Sequence, residues 1–384
     1  MSIKTAENKV SPKANRIAVA AFFFLQGFIF ASWASRIPDI QQKLQLSEAG
    51  WGSVLFALPL GLMVGLPVSG WLAARFGSRR MVMLAAFPYM LGLLMIGLVQ
   101  QVWQLVGVLF LFGMSANLLN LANNTQAVGV EAAYQRSIMS SFHGLWSLAG
   151  FIAAGLGTYV ISMNISPFLH FCMSGMVGVL LLLIFYPYAL ASDVNPPGDR
   201  PLFVRPDSTL LKLGLIGFCC MMCEGTLFDW SGIYFSKAVQ APKALTTLGF
   251  GAFMIAMAGG RFAGDWVVAR FGTRRVIQLN GLLIATGLFI AVIFPYILTA
   301  TLGFLLAGMG VSTIVPLVYG TAGKSSSMSA GMALAAVSST SFLGFLLGPP
   351  LIGYIAEMSN LRWSFALVAV LGIFTTWLIT RVRI

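Results

Sequence analysis

Trp71-Leu-Ala-Ala-Arg75-Phe76-Gly77-Ser-Arg79-Arg80 and Trp266-Val-Val-Ala-Arg270-Phe271-Gly272-Thr-Arg274-Arg275 are two copies of one motif, set 195 residues apart in a chain of 384. Each copy is a short basic turn between two long apolar runs. The chain therefore reads as a tandem duplication whose halves meet near its middle. Duplication in so apolar a chain is the pattern of two related helical bundles arranged about a central site.

Outward from these turns the composition fixes the solvent. Apolar residues make up 58% of the chain and charged residues 9%, against about 25% charged in soluble domains. One soluble core cannot hide that much apolar surface. Runs of about 20 apolar residues, long enough to cross about 30 Å of hydrocarbon, occur near 16–35, 50–72, 81–99, 103–127, 138–160, 168–188, 210–234, 247–268, 276–294, 297–321, 332–355 and 363–380. The expectation is an all-α membrane protein with 12 transmembrane helices in two six-helix bundles related by pseudo-two-fold symmetry. The amino-terminal bundle covers 1–190 and the carboxy-terminal bundle 210–384, joined over 191–209 by a linker containing Asn195-Pro196-Pro197-Gly198.

The net charge of +12 invites a nucleic-acid reading, but the placement of the basic residues argues against it. Alternating sides from one span to the next leaves only Arg36, Lys43, Lys237, Lys243 and Arg362 on one side and all the other Lys and Arg residues on the opposite side. By the positive-inside rule the richer side is cytoplasmic and holds both termini. The polar start, Met1 to Asn15, has no short apolar stretch followed by a small-residue cleavage site, so the first run is expected to be retained. Cys172, Cys219, Cys220 and Cys223 fall within the runs without metal-site spacing and read as helix-packing residues. No phosphate loop, nucleotide motif, metal cluster or nucleophile elbow is found, so the sequence predicts no enzyme, cofactor or metal.

Ionisable groups within a span are costly, and by default they mark function. Glu224 is the clearest, about 14 residues into the seventh run and hence roughly 21 Å from its inner end. It reads either as a site for proton coupling or for a cationic or hydroxyl-bearing solute, or as a permanent ion pair. Asp229, about 140° further round the helix, is expected to meet a loop cation such as Lys237 or Arg36. Gln26-Gly27 before Trp33 parallels Glu224-Gly225 before Trp230, which points Gln26 at the same cavity. Asn117, Asn120 and Asn124 form a polar stripe at i, i+3, i+7 that either binds solute or fastens helices. His143 is a proton relay or a packing histidine.

Gly70-x-Leu72-Ala73-Ala74-Arg75-x-Gly77-x-Arg79-Arg80 resembles the signature of the major facilitator superfamily, Gly-x-Leu-Ala-Asp-Arg-x-Gly-Arg-Arg. With twelve runs and a second motif copy at 265–275, the resemblance spans nearly the whole chain. Ala31-Ser-Trp33-Ala-Ser-Arg36-Ile-Pro38, His143-Gly144-Leu-Trp146-Ser147 and Gly260-Arg261-Phe262-Ala-Gly264-Asp265 are similar to stretches of bacterial inner-membrane members related to sugar-type permeases. The resemblance implies a monomeric secondary transporter of a small-molecule substrate in the bacterial inner membrane, working by alternating access. Proton-coupled movement of a sugar-like or other polar metabolite is the expectation. Proton-driven drug efflux, an uncoupled facilitator and a non-transporting sensor stand as alternatives.

The resemblance also implies that Trp33, Trp146, Phe228 and Tyr319 line the cavity, or else pack or anchor in lipid. Arg75, Arg79, Arg80 and Arg270 belong to the inner gate, with Glu131 and Arg136 as its ion-pair partners. The motif's acidic position is Ala74 in the first copy and Ala269 in the second, which puts the usual latch in doubt. Arg261 and Asp265, four residues apart, are spaced for a same-face ion pair with a gating role.

Overall fold

The computed structural model describes residues 11–135, 138–193, 207–324 and 330–382. Among them there is no strand, and twelve helical stretches are long and apolar enough to cross a membrane. In chain order, spans 1 to 6 are Pro12–Lys43, Glu48–Ala73, Arg75–Leu98, Val102–Tyr134, Met139–Ser162 and Pro167–Tyr188. Spans 7 to 12 are Ser208–Lys237, Lys243–Phe271, Thr273–Ile293, Ile297–Ala322, Met332–Met358 and Leu361–Thr380. Each expected run falls on one of these, overhanging it by at most one residue. The linker expected over 191–209 lies largely outside the described residues.

Local chemistry sets the ends and breaks. Ser11, Ser47, Ser166 and Asp207 accept a backbone N–H at the start of spans 1, 2, 6 and 7 through their side chains. Proline cannot donate to the carbonyl four residues before it. The helix of span 2 accordingly breaks at Phe56 ahead of Pro59, and that of span 10 breaks at Ser312 and Thr313 ahead of Pro316. The basic turns after spans 2 and 8 pass through Gly77 and Gly272, at φ 72° and 77°, a left-handed region in which side chains are strained.

Odd and even spans run in opposite directions, so the two basic turns, residue 11 and residue 382 share one face, called here the linker face. The turns after spans 1 and 7 lie on the opposite, far face. Packing repeats between halves. Span 1 packs on spans 5 and 6 as span 7 packs on spans 11 and 12, and span 3 packs on span 6 as span 9 packs on span 12. Between halves the large contacts are also a symmetric pair, span 5 with span 8 and span 2 with span 11. Exposed Leu84, Leu91, Leu180, Leu183, Leu298 and Trp363 give the bundle an apolar exterior suited to lipid.

The contact of span 2 with span 11 is concentrated at the far-face end of span 2, over Glu48–Leu55. There Gly52 and Gly353 let the backbones touch: a Cβ on Gly52 would stand 2.5 Å from the Pro349 carbonyl oxygen, and one on Gly353 2.5 Å from that of Glu48. Glu48 accepts from Lys237 at 2.7 Å, Asp39 pairs with Lys243 at 3.2 Å, and the Ala49 N–H donates to Glu357 at 3.2 Å. Every one of these joins the two halves. These contacts hold the bundle closed on the far face.

Candidate functional site

Span 8 carries Arg261 about 15 Å from its linker-face end, well inside the bilayer region. Its side chain is 14% exposed and reaches three partners on two other helices. Nη2 faces Glu224 Oε1 of span 7 at 3.3 Å, while Nη1 donates to Ser147 Oγ of span 5 at 2.7 Å and to the His143 carbonyl at 3.4 Å. The guanidinium also lies over the Trp146 ring, 5.9 Å from its centroid. Spans 7 and 8 belong to one half and span 5 to the other. One cation thus ties the halves together in mid-membrane.

Directly toward the far face lies an aromatic floor. Phe228, one helical turn after Glu224, sits 5.7 Å from Trp146 and 5.1 Å from Phe30 between ring centroids, with Phe253 behind it at 5.6 Å. Tyr319 lies on the short helix after the break in span 10, half-buried against the core. Asn120 is exposed although it lies mid-span, and it accepts from the half-buried Asn124 amide at 2.9 Å.

Several expected cavity residues are engaged elsewhere. Gln26 is buried, donates to the Ala116 carbonyl at 3.2 Å and accepts from Asn123 at 2.9 Å, so it clamps span 1 to span 4. Asn117 accepts from Ser69 of span 2 at 2.7 Å, so the asparagine stripe divides between fastening helices and facing open space. Trp33 is wholly buried against Trp51, with centroids 6.2 Å apart, and lines no cavity. His143 packs its ring edge-on to Phe23 at 5.2 Å and offers its carbonyl, not its imidazole, to Arg261.

The expected gate partners need the most correction. Arg261 does not pair with Asp265, which is exposed and in no ion pair; the cation turns inward to the buried carboxylate. Glu131 accepts the Ile138 and Met139 N–H groups at 2.8 and 2.9 Å, capping span 5 and leaving the basic turn alone. Arg136 lies outside the described residues. Arg75 stacks on Trp71 and Phe76, and Arg79 on Tyr186, while Arg80 and Arg270 are exposed and in no ion pair among the described residues. Asp229 meets neither expected cation, since Lys237 is held by Glu48 and Arg36 by Asp39.

Sequence reasoning missed Ser147, Asp39, Glu48 and Asp193. The Asp193 carboxylate accepts from the Ser78 N–H at 2.9 Å and from its hydroxyl, which also accepts from Gln126 at 2.6 Å. A readable signal for the far-face pairs existed: the turn after span 1 carries Asp39 and Glu48, and the corresponding turn after span 7 carries Lys237 and Lys243.

A sequence model of the Major Facilitator Superfamily matches residues 17–330. The chain belongs to that superfamily. An uncharacterised MFS-type transporter of Yersinia pestis is 32% identical over 372 residues, covering 97% of each chain. The solved nucleoside transporter NupG shares the fold at a TM-score of 0.74 and 12% identity, over 96% of this chain and 98% of its own. The E. coli fucose:proton symporter FucP does so at 0.62 and 15% identity, with the same coverage of 96% and 98%. Membership of this transporter superfamily and the twelve apolar spans make the chain a multi-pass membrane protein.

Proposed function

We propose that the chain is a secondary transporter of the bacterial inner membrane that moves a small polar solute by alternating access, coupled to protons, with the linker face cytoplasmic. The observation that carries this reading is the Arg261–Glu224 pair, bonded across the halves to Ser147 at mid-membrane depth. A group in that position feels both a bound solute and the rocking of one half on the other. Closure on the far face then corresponds to an inward-facing state.

The proton assignment is supported by two carboxylates in span 7. Glu224 shares its charge with Arg261, and among the described residues Asp229 is in no ion pair. Charges in such surroundings are retained where they do work. NupG and FucP, which share the fold, carry a nucleoside and fucose with a proton, which fits a small-solute reading.

Spin labels at Gln42 and Ala241, on the far-face turns of the two halves, test it. In nanodiscs the distance between them should show two populations whose ratio changes between about pH 5.5 and about pH 7.5. Asp229→Asn together with Glu224→Gln should abolish that change. One distance at both pH values would leave a non-transporting sensor or scaffold in place of a transporter.

A further inference from the structure

We infer that the solute is an uncharged, polyhydroxylated ring, recognised by the Arg261–Glu224 pair and stacked on the Trp146–Phe228 floor. This rests on the reading of that pair as the solute site. Three observations carry it.

The first is charge. Glu224 and Arg261 neutralise one another, and Asp229, about 140° around span 7 from Glu224, does not share their face. An anion drawn by Arg261 meets Glu224 within 3.3 Å of it, and a cation drawn by Glu224 meets Arg261. Either ion brings in a charge with no counterion, in a region where unpaired charge is expensive. A neutral solute incurs no such cost.

The second is the hydrogen-bonding capacity left over. Arg261 commits Nη1 to Ser147 and the His143 carbonyl and Nη2 to Glu224, and no partner is bound to its Nε among the described residues. Glu224 Oε2 is likewise free, and neither atom is among the buried groups sealed from access. One donor and one acceptor of the ion pair are thus left uncommitted. A hydroxyl can accept from Nε–H while its neighbour on the same ring donates to Oε2, because a hydroxyl does both. A ring with adjacent hydroxyls fits both at once; a carboxylate only accepts and an ammonium only donates.

The third is the floor. Trp146 touches both the guanidinium and Phe228, at 5.9 and 5.7 Å, with its plane tilted 58° from the buried phenyl ring, so the polar pair and the half-buried indole form one corner. A small ring with a C–H face and a hydroxyl edge complements that corner. The exposed Asn120 and half-buried Asn124 add amides on span 4 for further hydroxyls.

The test uses one ring in three charge states. Binding of D-glucose, D-glucuronate and D-glucosamine to the detergent-solubilised protein is measured by calorimetry, alongside myo-inositol, uridine and tetraphenylphosphonium. At least one neutral ring should bind. Charged forms of the same skeleton should bind about tenfold more weakly or worse, the discrimination that polar sites impose on ligands leaving their groups unpaired. Trp146→Ala should lose that affinity and Trp146→Phe keep most of it. Arg261→Lys, with thermal unfolding confirming that it is folded, should weaken neutral rings about tenfold through loss of the forked donor.

Equal or tighter binding of glucuronate, glucosamine or the lipophilic cation overturns the inference, as does failure of every neutral ring to bind. If the rings fail while the Gln42 and Ala241 labels still report two populations, the substrate class is wrong and the transporter reading stands. A single label distance removes the underlying reading as well.

Discussion

Arg36 and Arg261 are both cations inside the bundle, and their surroundings assign them different work. Arg36 is 1% exposed, and each arm of its guanidinium is satisfied: Nε by His170 Nδ1 at 3.1 Å, Nη1 by Asp39 at 2.7 Å and Nη2 by the Ile165 carbonyl at 2.8 Å. Nothing is left for a ligand, so it is structural. His170→Phe removes an acceptor from a buried donor and should destabilise the protein by about 1–3 kcal/mol, read as a lower Tm in detergent, whereas an unchanged Tm would mean that the bond contributes nothing. Glu224→Ala leaves Arg261 buried without its counterion and should cost about 3 kcal/mol. The Glu224→Ala, Arg261→Ala double variant should recover part of that loss, and a fully additive double variant would show the pair to be uncoupled. The importance of Glu224 was legible in the sequence, because a lone carboxylate in an apolar run has few reasons to be there. Its partner was not. Arg261 could be counted as one more basic residue near a turn, and Asp265 lay at the tempting i+4 spacing. A cation in mid-membrane gains more from a desolvated carboxylate on the next helix than from an exposed one on its own.

At the scale of elements, spans were readable because hydropathy depends only on local composition, and breaks because a proline acts on its own helix. Contacts between elements were not, since the register of one helix against another is not written in either alone. The asparagine stripe was visible as a stripe, yet Asn117 turns to span 2 and Asn124 to Asn120 because neighbouring helices differ around the circumference of span 4. The loop motif shows the same limit. Its acidic position is alanine, but Asp193, from the stretch after span 6, caps Ser78 after the left-handed Gly77. Asp193→Ala should cost about 1 kcal/mol of helix capping and speed hydrogen exchange at the first amides of span 3, leaving span 9 unchanged; equal rates in variant and parent would dismiss the cap. A second prediction concerns span 2 and span 11. Gly52→Val places carbon atoms where the Pro349 carbonyl now lies, so the far face should no longer close. Disulfide trapping between cysteines at Ser53 and Tyr354, now hydrogen-bonding neighbours, should fall sharply in that variant, and undiminished trapping would show that the interface yields.

For the molecule as a whole, duplication supplies two halves with matching internal packing, and what differs between them decides where they close. Asp39 and Glu48, beside the turn after span 1, face Lys237 and Lys243, beside the turn after span 7, so the far-face contact is attractive across the axis. The basic turns of the linker face carry like charge in both halves and offer no such attraction. The two kinds of far-face contact should respond differently to solution conditions. Lys237 and Lys243 are 49% and 64% exposed, so each pair contributes at most about 1 kcal/mol and is screened by salt. The glycine contact of span 2 with span 11 is steric and apolar, and salt does not screen it. Neutralising both lysines, Lys237→Gln with Lys243→Gln, should therefore raise the far-face-open population by about fivefold per pair at most, read from the Gln42 and Ala241 label distance. Raising salt on the parent protein should move the same distance in the same direction and have little further effect on the double variant. A population that ignores both changes would mean that the glycine interface alone holds the far face shut, with these paired charges serving only to steer the halves into register.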